Sequence, residues 1–371
     1  MKKYIHEKAE WPELEFSENS LYDPLIRLHR ALGRLFGKLD TLGFDVQDEL
    51  LLSAVSDEVV TSSGIEGEKL NRSSVRSSVA KRLGLEAAGL TDAYTDHYTE
   101  GVVEMALDAT QNFSMPVTDE RLFGWHTALF QSGRSGIRRI TVGAYRTDEV
   151  SIVSGAAGRE KVHYEAPAPG RVPDEMRRFL SWLDANQSVD PYIKAGIAHL
   201  WFESVHPFDD GNGRIGRAIA DLLLARAENS PMRYYSLSSQ LLKERKSYYD
   251  ELEAATGYSC DMGRWIAWFL GVLERAVEAS EEKLRAAARK ADIFAQLSKT
   301  ALSERQIYVL NMLIDGFEGK LTTAKWAKLC KCSHDTALRD IEDLMQKGIL
   351  LRSPEGGRST SYELDFHAYY S

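Results

Sequence analysis

Apolar residues recur at threes and fours through most of the chain, the period of an α-helix with one buried face. Leu21, Leu25, Leu28, Leu32, Leu35 and Leu39 form such a stripe, and Gly43 follows as a stop signal. A second helix is predicted over about 47–66, with Leu51, Ala54, Val55, Glu58 and Val59 on neighbouring faces and Gly67 as its C-terminal cap. Further helices are predicted over about 89–112, 118–131, 173–186, 191–204 and 215–228. Thr118 followed by Asp119 and Glu120 reads as a helix start, since a hydroxyl caps free N–H groups and acids suit the first turn. Between Gly133 and Pro173 the pattern changes to glycines mixed with Ile140, Val142, Ile152, Val153 and Val162. That stretch predicts a loop with one β-hairpin, its strands near 150–153 and 161–165. An aromatic-rich helix over about 262–279 precedes an Ala/Lys/Arg/Glu run at 280–290, which reads as a solvated linker helix.

The last part has its own order. A helix over 304–317 precedes a shorter one over 322–329, and Ser333 caps a third that ends near Lys347-Gly348. Strands at 349–352 and 361–364 then flank the turn-rich Pro354-Glu355-Gly356-Gly357-Arg358. This order resembles a winged helix, a helix-turn-helix followed by a β wing. The expected division is an N-terminal helical region at 1–88, a core at 89–279, a linker helix at 280–302 and a winged-helix domain at 303–371.

Composition acts by exclusion. With 371 residues, 43% hydrophobic and 27% charged, the chain is globular, and it is long enough for two or three domains without disulfide or metal staples. Lys and Arg number 46 against 55 Asp and Glu, a net charge of −9, so nucleic acid or anionic membrane can be met only through a local patch. The odd set Cys260, Cys330 and Cys332 suits a reducing compartment. Cys330-x-Cys332-x-His334 lacks the second ligand pair a zinc site needs. The opening MKKYIHEKAEWPELEF has no apolar core of a signal peptide, and no apolar run is long enough to span a bilayer. The expectation is a cytoplasmic protein with no membrane partner.

The densest chemistry lies in His206-Pro207-Phe208-Asp209-Asp210-Gly211-Asn212-Gly213-Arg214-Ile215-Gly216-Arg217. Pro207 turns the chain, and Gly211 and Gly213 permit a tight loop into the next helix. A Gly-rich loop entering a helix presents free N–H groups and partial positive charge to an anion. Arg214 and Arg217 are three apart and share one side of that first turn. Arginines there oppose the helix dipole unless a polyphosphate supplies counter-charge. Asp210 adds a hard oxygen ligand suited to Mg²⁺, and His206 can accept a proton near neutral pH.

The segment resembles the Fic family signature HPFx(D/E)GNGRxxR at every defined position. The resemblance implies a mainly α fold, a Fic-type helical bundle with one β-hairpin flap, here followed by the winged helix. It implies a protein adenylyltransferase that moves AMP from ATP to a Ser, Thr or Tyr hydroxyl of a target protein, itself included. His206 is then the base, Asp210 the Mg²⁺ ligand, and Asn212 with the Gly211 and Gly213 backbone the α/β-phosphate cradle. Arg214 serves the β-phosphate and Arg217 the γ-phosphate. Asp209, Ile215 and Gly216 complete the nucleotide-binding loop, and Phe208 fixes it to the core. Gly143-Ala144-Tyr145-Arg146 is similar to the family's GxYR element. The hairpin at Val162, His163 and Tyr164 is then the flap that aligns the target by strand addition. Tyr248-Tyr249 resembles the nucleoside-side tyrosines, with core packing as the alternative. Thr256 departs from the Asn of some relatives, and His199 reads as a core histidine.

Ser62-Ser63-Gly64-Ile65-Glu66-Gly67 resembles a second family element, (S/T)xxxE(G/N). Ser62 and Glu66 share a helix face, and an acid at a helix C-terminus wants a cationic partner. The resemblance implies that Glu66 pairs with Arg217, withdraws it from ATP and so makes an N-terminal inhibitory helix, with Gly67 behind it. Relatives also use this Glu to remove AMP, and a nucleotide-sensing transcription regulator is the alternative of another class. DNA contact through the C-terminal module stays open, because helix 333–347 carries Asp335, Asp340, Glu342 and Asp343 against Arg339 and Lys347. Relatives are often homodimers, and a homodimer is expected here.

Overall fold

The computed structural model describes residues 3–13, 16–85, 96–154, 161–185, 189–297, 300–314, 319–353 and 360–365. The leucine stripe forms α1 (Tyr22–Leu39), with Leu28, Leu32, Leu35 and Leu39 buried. It is followed by α2 (Phe44–Ile65), α3 (Arg72–Leu83), α4 (His97–Gln111) and α5 (Asp119–Leu129). Helix α2 packs against α3, α4 and α8 (Asn212–Glu228) and against α9 (Leu237–Lys243), which buries even Ser56, Asp57, Ser62 and Ser63. Thr118 caps α5 through its hydroxyl, as its sequence predicts. Asp96 caps α4, so the predicted start near 89 falls among 86–95, outside the described residues.

Two small antiparallel hairpins follow: β1 (Arg134–Ser135) with β2 (Arg138–Arg139), and β3 (Ser151–Ser154) with β4 (Lys161–Glu165). The second is the predicted hairpin, with Ile152 opposite Tyr164 and Val153 opposite Val162. The first corrects the expectation of a single hairpin in this stretch. Its strands are two residues each, too short for any alternation to show in the sequence.

Next come α6 (Val172–Asp184), α7 (Pro191–Val205), α8, α9, α10 (Arg245–Thr256) and α11 (Met262–Leu297). Helix α7 lies against α8, and Phe179, Phe202, Phe208, Trp265 and Phe269 fill the core around them. Helix α8 starts at Asn212, three residues before the predicted Ile215, because Gly211 takes the cap position with φ +83°. Helix α11 corrects a second expectation: the aromatic helix and the linker helix are one continuous helix. Its 280–283 turn is not wholly solvated, since Ser280 and Glu281 are buried and Glu281 pairs with Arg34 at 3.2 Å and with Lys38.

The chain divides into two compact units, 1–283 and 284–371. The second contains α12 (Glu304–Ile314), α13 (Thr323–Leu329), α14 (His334–Gln346) and the antiparallel pair β5 (Leu350–Arg352) and β6 (Tyr362–Leu364). Its core gathers Val309, Leu310, Trp326, Ile341, Leu344, Leu350 and Leu364. The predicted ends at Phe317 and at the 354–358 turn lie outside the described residues. The fold is mainly helical with small two-stranded sheets. No helix among the described residues is long and apolar enough to cross a membrane.

Candidate functional site

The loop that joins α7 to α8 is built from its own backbone outward. His206 caps α7 in the left-handed region, with φ +49°. Such a conformation is uncommon for a residue with a Cβ and is sustained only where surroundings hold it. Those surroundings are identifiable. Arg146 is 2% exposed and donates from Nε to His206 O at 2.8 Å, from Nη1 to Asp148 O at 2.8 Å and from Nη2 to Pro167 O at 2.5 Å. Its own N–H donates to Pro207 O at 2.9 Å. Asn212 closes the loop from the other side: its Oδ1 accepts from Phe208 N and its Nδ2 donates to Phe208 O, both at 2.9 Å. With that side chain so occupied, Asn212 offers an anion its backbone rather than its amide.

Phe208 is fully buried and stacks on His126, the ring centres 4.3 Å apart. His126 accepts from Gly143 N at Nδ1 and so donates from Nε2 to Asp210 O, each at 3.2 Å. Burial pushes its pKa down to about 4, so the ring is the neutral tautomer this bridge needs. Asp209 Oδ2 accepts from Thr141 N at 2.8 Å and likewise braces the loop. Gly211 is required where it stands, because a Cβ there would come within 2.8 Å of the Phe130 ring.

The braced loop forms one wall of a cavity of about 530 Å³. Glu66, Arg138, Ile152, His206, Asp210 and Gly213 are among the residues that line it. The His206 side chain is 16% exposed, with Nδ1 3.4 Å from Glu203 O. Burial pushes its pKa down to about 4, so the imidazole is unprotonated at neutral pH and has a free lone pair to offer as a base. Glu203 lies a turn earlier and is itself pushed up to about 8 by burial. Asp210 has a 40% exposed side chain; Ser135 donates to its Oδ2, and Arg214 Nη2 lies 3.3 Å from its Oδ1. One accessible carboxylate at an open cavity would suit Mg²⁺, an ion that keeps waters and shares a ligand's oxygens.

Both arginines of the loop are buried, Arg214 at 2% and Arg217 at 1% exposure. Arg217 Nη2 donates to Glu66 Oε1 and to Ser62 O, and its Nε donates to Ser62 Oγ, all at 2.9 Å. Burial opposes its charge most, but Glu66, Tyr248 and Glu203 together outweigh that and hold the guanidinium above its usual range. Its Nη1 is buried with no protein partner. Glu66 fits only because position 213 is glycine: a Cβ there would stand 2.3 Å from Glu66 Oε1. Arg214 Nη1 meets Glu68 Oε2 at 3.1 Å and Tyr98 OH at 2.6 Å, with the Phe130 ring beneath the guanidinium.

On the β3–β4 hairpin, Ile152, Val153 and Val162 are exposed, whereas Tyr164 is 2% exposed and donates to Ser204 O at 2.6 Å. His163 pairs with Glu253 at 2.7 Å. Tyr248 is buried with its hydroxyl 2.8 Å from His199 Nε2, while Tyr249 is 42% exposed and donates to Ile65 O at 3.3 Å. Ile215 and Gly216 are buried in α8. The cavity thus unites His206, Asp210, Gly211, Asn212, Gly213 and Glu66, and Tyr248 and Tyr249 do not line it. Sequence reasoning missed Glu68, Tyr98, Ser135, His126 and Arg138. Only Glu68 carried a signal, as a second acid just beyond the helix-ending Gly67.

Residues 116–224 match the Fic/DOC family model, and residues 4–85 match a domain of unknown function, DUF4172. The chain is 38% identical over 91 residues to the protein adenylyltransferase Fic of Culex quinquefasciatus, an alignment covering 24% of this chain and 17% of that protein. It is 26% identical over 194 residues to the protein of the same name from Drosophila ananassae, covering 52% of this chain and 35% of that one. The chain therefore spans well under two thirds of these relatives. A Fic family protein from Desulfovibrio desulfuricans G20 shares the fold, with a TM-score of 0.55 at 21% identity, covering 95% of this chain and 98% of that one. The chain carries a Fic/DOC domain behind a DUF4172 region and is distantly homologous to protein adenylyltransferases.

Proposed function

We propose that this protein transfers AMP from ATP to a Ser, Thr or Tyr hydroxyl of a protein, and that Glu66 restrains the reaction. The observation that carries the reading is a partly exposed His206 in one cavity with Asp210 and the N-terminal turn of α8. His206 takes the proton of the target hydroxyl. The hydroxyl oxygen then bonds to the α-phosphorus as the bond to the bridging oxygen of pyrophosphate breaks. The backbone N–H groups at the start of α8 and the two guanidinium groups hold the phosphate tail and offset the charge that grows on the leaving group. Asp210 is the residue that holds Mg²⁺, which neutralises phosphate charge when bound. The exposed β3–β4 hairpin orients the target segment.

The Glu66–Arg217 pair supports the restraint. An arginine bound to a carboxylate and to Ser62 is not available to a γ-phosphate. The winged-helix reading of the second unit belongs to the same proposal, supported by its order of three helices and one antiparallel pair. Mass spectrometry of the purified chain incubated with ATP and Mg²⁺ tests the reaction. Added AMP on the Glu66→Gly variant, and none on its His206→Ala derivative, is the expected outcome. The absence of AMP from Glu66→Gly, from itself and from every protein of a lysate, overturns it.

A further inference from the structure

Resting on that reading, we propose that two latches restrain the site: Glu68 occupies Arg214 as Glu66 occupies Arg217, and ATP must displace both carboxylates. The two acids flank one turn. Gly67, at φ +87°, reverses the chain beyond α2; its N–H donates to Gly64 O at 3.1 Å and Glu68 N donates to Ser63 O at 3.0 Å. That pair of bonds is the Schellman closure of a helix end, which a left-handed glycine permits. It fixes the backbone of Glu66 and Glu68 on either side of Gly67.

Opposite them stand Arg214 and Arg217, one helical turn apart on α8. Each guanidinium is almost wholly buried and needs a counter-charge. Without a polyphosphate at the helix N-terminus, Glu66 and Glu68 supply it. Tyr98 makes the second latch more than a loose surface pair, because its hydroxyl accepts from Arg214 and donates to Glu68. Asp210 also faces Arg214, at 3.3 Å, but on the side of the cavity. Half-burial holds the pKa of Glu68 above its ordinary value, and Arg214 offsets part of that rise.

The two contacts involve different guanidinium groups, so removing Glu66 leaves Arg214 held. ATP·Mg²⁺ affinity, measured by titration calorimetry on the full chain in a His206→Ala background that cannot turn over, tests this. Adding Glu68→Ala to Glu66→Gly is expected to tighten ATP binding by about a further fivefold. Tyr98→Phe, which keeps every charge, gives a smaller tightening. Truncating Glu68 takes one carboxylate from buried Arg214 and leaves it Asp210 at 3.3 Å, so the variant is expected to fold with a lowered melting temperature. Equal affinity with and without Glu68, or weaker affinity without it, overturns the second latch while ATP binding by Glu66→Gly stands. Failure of Glu66→Gly itself to bind ATP overturns the underlying reading instead.

Discussion

The α7–α8 loop and the C-terminal unit handle charge in opposite ways. Around the loop, Arg146, Arg214 and Arg217 are no more than 2% exposed, and their partners come from far along the chain: Arg217 and Glu66 are 151 positions apart. In the C-terminal unit the core is apolar and built on Trp326, Ile341 and Leu344. Its ion pairs Arg305–Asp340 and Lys347–Asp343 leave the cations' side chains 44% and 28% exposed. Burying an ion pair gives little net stability, because desolvation offsets the attraction. Two arginines buried in ion pairs beside one loop, Arg214 and Arg217, therefore point to a use other than stability, whereas Arg146 bonds carbonyls and braces the fold, and the C-terminal unit needs no such explanation.

This contrast can be tested from its strongest expected consequence downward. Removing the base comes first: His206→Ala should lower AMP labelling by about 100-fold or more, read with α-labelled ATP. Unchanged labelling removes His206 from the chemistry. Glu66→Gly should raise labelling by about tenfold or more, and equal labelling removes the first latch. Arg146→Ala leaves the carbonyls of Asp148, Pro167, Val205 and His206 without this donor and should cost about 2–4 kcal/mol in chemical denaturation. Arg146→Lys should not rescue it, because an ammonium cannot reproduce the fork. Acid should act late: with His206 at about 4, labelling by Glu66→Gly should hold its rate down to about pH 5 and fall as the imidazole protonates below that. A fall centred near pH 6.5 would mean the imidazole is not desolvated. At the small end, Lys347→Ala should move the melting temperature by less than about 3 °C, since its partner Asp343 has a 42% exposed side chain. A larger loss would erase the difference between the two regions.

Local chemistry was legible in the residues themselves. Apolar spacing marks α1, hydroxyls mark the starts of α5 and α14, and Gly211 marks the turn into α8. These signals act between near neighbours, so they need no knowledge of what lies across the fold. The Glu66–Arg217 pairing was expected from a family resemblance, and spacing alone did not give it. Other features appear only on packing. That the run after 280 is helical was legible in its composition, but that Glu281 there is buried against Arg34 and Lys38 on α1 was not. Arg146 holds the loop carbonyls, His126 carries Asp210 to Gly143, and Glu68 reaches Arg214. Period, cap and turn are written in a few consecutive residues, so one chain segment suffices to specify them. Which buried charge meets which depends on helices being brought side by side, and that is a property of the assembled fold.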